Sequence, residues 1–75
     1  VFEYYKKSAQ LFPEFFEAWF NLGVVSELLG DLSTAEKAYK QAINTNSNSL
    51  EATRNLGRLL LKQNRLDEAK TIFEK

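Results

Sequence analysis

The side chains that could do chemistry in this 75-residue chain are few, and their types exclude more than they suggest. There is no cysteine and no histidine. Thiolate chemistry, disulfides and the commonest general base and metal ligand are therefore missing. No glycine-rich phosphate loop is present. The carboxylate pairs Glu14/Glu17 and Asp67/Glu68 fall near expected helix starts, where negative charge complements the exposed N–H groups. They read as solvated or capping groups rather than an acid–base pair. Binding is better supplied. Phe20, Val24 and Leu28 recur at i, i+4 and i+8, and Arg54, Arg58 and Lys62 repeat that spacing. On helices, each set forms one row. Arginine can grip a carboxylate through two parallel hydrogen bonds, and Phe20 offers a flat apolar anchor. An apolar row beside a basic row suits a partner with large apolar side chains and nearby acids. Each row also has a plainer reading. Phe20 and Val24 can pack against a neighbouring helix, and cations at i, i+4 can form an ordinary solvated face.

The elements that carry these rows are organised by Trp19 to Tyr39. Leu22-Gly23 returns as Leu56-Gly57, Ala35 as Ala69, Tyr39 as Phe73 and Asn21 as Asn55, each 34 residues on. One shared spacing across independent landmarks marks a tandem repeat. The string Trp19-x2-Leu22-Gly23, followed by Ala35 and Tyr39, resembles the tetratricopeptide repeat, whose pattern is Trp-x2-Leu-Gly-x2-Tyr, Ala-x3-Phe and then Pro. Pro13 stands one period before the place where the second Pro is due, which Ser47 occupies instead. Ser26, Thr53, Leu60 and Asn64 are the other departures from the pattern.

Periodicity predicts the helices. Residues 1–12 place Phe2, Tyr5, Ala9 and Phe12 at helical spacing, and Pro13 ends that segment because proline lacks an N–H and disfavours helix in the residue before it. A helix over 14–29 carries Trp19, Leu22, Gly23 and Ser26 on one face. Gly23 costs about 1 kcal/mol against alanine in a helix interior, which is tolerable if another helix comes close, with Ala35 as the expected small partner. Gly30 ends this helix in a left-handed conformation. Asp31 or Ser33 caps the next, over about 33–43, with Ser33 and Glu36 at capping-box spacing. Its buried stripe is Ala35, Ala38, Tyr39 and Ala42, with Ile43 added. Asn48, with Glu51 three residues on, caps a helix over about 50–63 that buries Ala52, Leu56, Gly57, Leu59 and Leu60. Asn64 takes the place of Gly30, and a last helix from about Asp67 carries Ala69, Ile72 and Phe73.

Size and charge narrow the function further. The chain is long enough for one small domain whose core is marginal unless its helices pack well. Ten basic and ten acidic residues balance. Residues 1–49 hold four lysines against six acids, a balance of −2, and residues 50–75 hold six cations against four acids, a balance of +2. Nucleic-acid binding needs a clearly basic domain, so none is expected. No apolar run approaches the roughly 18 residues of a membrane span. Absent cysteine fits a reducing compartment, so the cytoplasm is the expected location. Val1-Phe2-Glu3 shows neither an initiator methionine nor a signal-peptide layout, and the chain reads as a segment of a longer protein.

The resemblance implies an all-α fold: a right-handed α-solenoid segment of antiparallel helix pairs. Residues 1–15 would be the trailing second helix of a preceding repeat, 16–49 a complete repeat, and 50–75 a second repeat truncated at its C-terminal end. It further implies a scaffold for protein–protein contact, without cofactor, metal or catalysis. The first helix of each pair would line a concave groove for a peptide or partner protein. The candidate binding residues are Phe20, Asn21, Val24, Arg54, Asn55, Arg58 and Lys62. In family members an Asn at the place of Asn21 and Asn55 often contacts the bound peptide. A subclass that clamps the C-terminal carboxylate of heat-shock chaperones has Lys where Phe20 stands and Asn where Val24 stands, and this chain has neither. The alternatives are a structural spacer, self-association through open repeat ends, or a docking arm for an enzyme encoded elsewhere in the chain.

Overall fold

A computed structural model describes residues 2–12, 14–46 and 48–74, without the side chain of Phe2. Val1, Pro13, Ser47 and Lys75 lie outside the described residues, so the separator role read for Pro13 and the substitution at Ser47 carry no structural account. Five helices follow in order: α1 Phe2–Leu11, α2 Phe16–Leu28, α3 Leu32–Thr45, α4 Leu50–Lys62 and α5 Leu66–Glu74. No strand occurs among the described residues. Each helix packs on the next in the chain. The three residues joining α2 to α3 reach at most about 11 Å, too short to return along a 13-residue helix about 20 Å long. The two helices must therefore fold back antiparallel.

Local chemistry explains the boundaries. Gly30 takes φ +86° and Asn64 takes φ +60°, the left-handed state that glycine and asparagine adopt most readily. Beyond them Asp31 N–H donates to the Ser26 carbonyl and Arg65 N–H to the Leu60 carbonyl, both at 2.9 Å. The same C-terminal motif thus closes α2 and α4, one period apart. Asp31 is the cap of α3: its carboxylate accepts from Thr34 N–H at 3.2 Å and from the Thr34 hydroxyl at 2.7 Å. Ser33 lies inside the helix, and Glu36 turns to Arg65 and Lys40 instead of back to a capping box. At α4 the cap is Ser49, whose Oγ accepts from Ala52 N–H at 3.3 Å. Asn48 instead donates its own N–H to Asn46 Oδ1.

Two clusters form the core. Ala9, Leu22 and Ala38 are buried together, with Tyr5, Ala18 and Trp19 packed around them. Ala35, Tyr39, Leu56, Leu59, Leu60 and Ala69 form the other, spanning α3, α4 and α5. The expected stripe of α3, Ala35, Ala38, Tyr39 and Ala42, is buried, as is that of α4.

The atoms nearest two of the helical glycines belong to aromatic rings. A Cβ on Gly23 would stand 2.5 Å from Cε1 of Tyr39, and one on Gly57 would stand 2.6 Å from Cε1 of Phe73. The absent side chain makes room for an aromatic ring one turn beyond Ala35 or Ala69. Small residues at 35 and 69 and large rings at 39 and 73 thus divide the work along one face.

Candidate peptide-binding groove

The face shared by α2 and α4 holds a cleft of about 290 Å³ lined by Val24, Glu27, Leu28, Tyr39, Asn55, Arg58 and Lys62. At its centre is Glu27, whose side chain is only 8% exposed. Its carboxylate accepts from the Tyr39 hydroxyl at 2.9 Å, from Arg58 Nη2 at 3.1 and 3.3 Å, and from Lys62 Nζ at 2.9 Å. Burial pushes the Glu27 pKa up, but hydrogen bonds from Lys62, Tyr39 and Arg58 outweigh it, so the carboxyl lies below the ordinary glutamate value of 4.5. Burial first, then the hydrogen bond to Glu27 and after it the Glu27 charge, push the Tyr39 phenol well above its usual range. At neutral pH the group is one carboxylate, one neutral phenol and two cations.

The candidate residues divide into three sets. Arg58 and Lys62 meet on Glu27 yet remain 52% and 55% exposed at the side chain, so their outer donors stay accessible. Arg54 is exposed and makes no ion pair among the described residues, and Asn21 is likewise exposed. Asn55 lines the cleft close enough to the Tyr39 hydroxyl to act on its ionisation. Phe20 and Val24 are half-buried and pack on the α3–α5 core. Phe20 stacks on Phe16 at 5.5 Å between ring centroids and leans on Tyr39 at 6.1 Å. Its neighbours are therefore within the repeat rather than on α1. The exposed apolar lip is Leu28, 81% accessible, with Leu61 about half exposed.

Glu27 and Tyr39 belong to neither of the two rows read from the sequence as binding residues. A signal existed. Glu27 precedes Arg58 by 31 residues and Lys62 by 35, one repeat period less three and plus one, which places both cations opposite it on the neighbouring first helix. Arg65 marks a second charged cluster, on the far side of α4. It holds Glu36 through two guanidinium nitrogens at 2.5 and 3.1 Å and also contacts Glu68. That cluster ties α3 to the turn before α5 and borders a smaller cleft of about 230 Å³ whose charged groups, Glu36, Lys40, Arg65 and Glu68, pair with one another.

Two family models described as tetratricopeptide repeat match the chain, one over residues 26–75 and the other over residues 4–37. The chain belongs to the tetratricopeptide repeat family. It is also 29% identical over 58 residues to human tetratricopeptide repeat protein 8, covering 77% of this chain and 11% of that protein. The chain thus spans about a tenth of the length of that relative. Membership makes it, in general terms, a module for contact between proteins, in a family that is generally non-catalytic. No helix among the described residues is long and apolar enough to cross a membrane, and none of their His, Cys, Asp or Glu side chains form a group of three or more that could hold a metal.

Proposed function

We propose that the α2–α4 face captures a segment of a partner protein carrying acidic and large apolar side chains, and that the chain acts as part of a scaffold rather than as an enzyme. Residues 16–49 and 50–75 would be its repeat units, with α1 the second helix of a unit before them. The observation carrying this reading is the charge and shape of the cleft. Two cations, Arg58 and Lys62, stand over one buried carboxylate, beside the exposed Leu28 and the half-buried Val24, and Arg54 extends their row one turn along α4. The walls are helices held by tertiary packing, so little ordering entropy remains to be lost in them on binding. Phe20 and Asn55 support the groove floor and Asn21 its rim.

Selection of random peptides on the protein tests this reading. Enriched sequences should pair Asp or Glu with Leu- or Phe-sized neighbours, and Arg54→Glu or Arg58→Glu should weaken their capture at least tenfold while helicity is retained. Equal capture by wild type and both variants would remove the groove assignment.

One observation favours a second reading, self-association. Ile43, Leu50, Thr53, Ile72 and Phe73 line a cleft of about 620 Å³ between the end of α3, the start of α4 and α5. A clean monomer by sedimentation at several concentrations would count against that use.

A further inference from the structure

The basic row of the groove already has an occupant, the protein's own Glu27. Its carboxylate takes one guanidinium nitrogen of Arg58 and the ammonium of Lys62. Arg58 meets it through Nη2 alone, leaving Nε and Nη1 as donors for a ligand. The geometry is layered: the carboxylate is nearly buried while both cations are half exposed. An acidic group arriving from solvent therefore meets the outer side of the cations, with a like charge fixed behind them. Because that charge lies where salt and water penetrate poorly, its repulsion is screened less than that between surface charges.

The repeat does not require Glu27. One period on, Leu61 stands at the position of Glu27 and Phe73 at that of Tyr39, and α4 and α5 still pack against each other. Buried ion pairs are in any case weak contributors to stability compared with apolar residues of similar volume. A helix pair of this repeat can thus close without the charge.

We propose that Glu27 is an internal competitor for the acidic group of the ligand, a specificity-determining residue that keeps capture of carboxylate-bearing segments weak and selects those whose leucine-sized side chains also engage Val24 and Leu28. This rests on the groove reading above. With Glu27 ionised, Arg58 and Lys62 leave the cleft a net charge of +1, which removal of the carboxylate raises to +2. A like charge roughly 7 Å from the ligand carboxylate, at an effective dielectric between surface and water values, opposes binding by about three- to tenfold.

Two fluorescent peptides, one containing Leu-Glu-Glu-Leu and the other Leu-Gln-Gln-Leu, test the inference by anisotropy on the full chain. Wild type should bind the Glu peptide in preference to the Gln peptide. Glu27→Gln should tighten binding of the Glu peptide by about three- to tenfold and leave the Gln peptide within about twofold. The gain should shrink as salt is raised. Should Glu27→Gln lose helicity, Glu27→Met, of matching length and no charge, serves in its place. Weaker binding of the Glu peptide by the folded variant would overturn the inference, because Glu27 would then be positioning the cations rather than competing for them, and the groove reading would stand. Wild type and folded variant both failing to distinguish the peptides would overturn the groove reading itself.

Discussion

Replacing Gly23 by alanine sets two effects of known size against each other. In a helix interior alanine is favoured over glycine by about 1 kcal/mol. Against that, the new methyl would stand 2.5 Å from Tyr39 Cε1, where carbon atoms pack at about 3.5–4.0 Å. The ring would have to retreat by roughly 1 Å, and Tyr39 has nowhere to go. It is fully buried, leans on Phe20, and is tied by its hydroxyl to Glu27. Overpacking of a filled core costs about 1–3 kcal/mol, and loss of a hydrogen bond to a charged acceptor about 1.5–3 more. The net expectation is a loss of about 1.5–5 kcal/mol, of a total near 4–11 for a chain of this size. At roughly 4–8 °C per kcal/mol for a small domain, the melting midpoint should fall by at least about 6 °C. Gly57→Ala is the internal comparison. Its methyl meets Phe73, which is 51% exposed and has no hydroxyl to anchor it. That ring can swing outward, so the propensity gain should roughly cancel the lost contact, leaving a change within about 1 kcal/mol. Thermal and urea melts followed by far-UV circular dichroism measure both variants. A double-mutant cycle with Tyr39→Leu should recover most of the Gly23→Ala loss. Gly23→Ala melting at or above wild type, or Gly57→Ala losing as much, would refute the argument that a trapped ring sets the glycine requirement.

Other outcomes follow from single groups. Ser26 is fully buried, and its Oγ has no hydrogen-bond partner among the described residues. Ser26→Ala should therefore raise stability by about 1 kcal/mol, read from the urea midpoint at unchanged slope. Asp31→Ala removes both capping bonds of α3 and should cost about 1 kcal/mol in the same assay. The folded pKa of Glu36 is depressed chiefly by its hydrogen bond to Arg65, and that of Glu27 by its donors despite burial. The unfolded chain thus binds more protons in acid, and the stabilisation from these groups is present above about pH 4.5 and lost as pH falls through their lower folded values. Urea melts between neutral pH and pH 3 should show that fall, and Glu27→Gln should make it shallower. A slope unchanged by that variant would mean that the buried carboxylate does not titrate as described.

What could be read without coordinates was whatever repeats along the chain or acts locally. A 34-residue interval between Leu22-Gly23 and Leu56-Gly57, a helical stripe of Ala35, Ala38, Tyr39 and Ala42, and Gly30 and Asn64 as left-handed stops are one-dimensional signals, because helix periodicity and terminal capping depend on residues a few places apart. They determined the helices, their turns and the family. Caps were less legible. Asp31 caps rather than Ser33, two residues on, and Ser49 rather than Asn48, one residue back, because the cap is whichever oxygen the entering backbone aims at a free N–H. Contacts between helices were decided only by the fold. The Tyr39 ring lies against Gly23, because the separation of two helix axes sets which side chain spans the gap. Phe20 rests on Tyr39, and Arg58 and Lys62 close on Glu27, because neighbouring first helices bring residues 31 and 35 apart to hydrogen-bonding distance. A row of charges in sequence carries a side but not a partner, and the partner, a buried carboxylate on another helix, is what turns a solvated face into a site with a measurable preference.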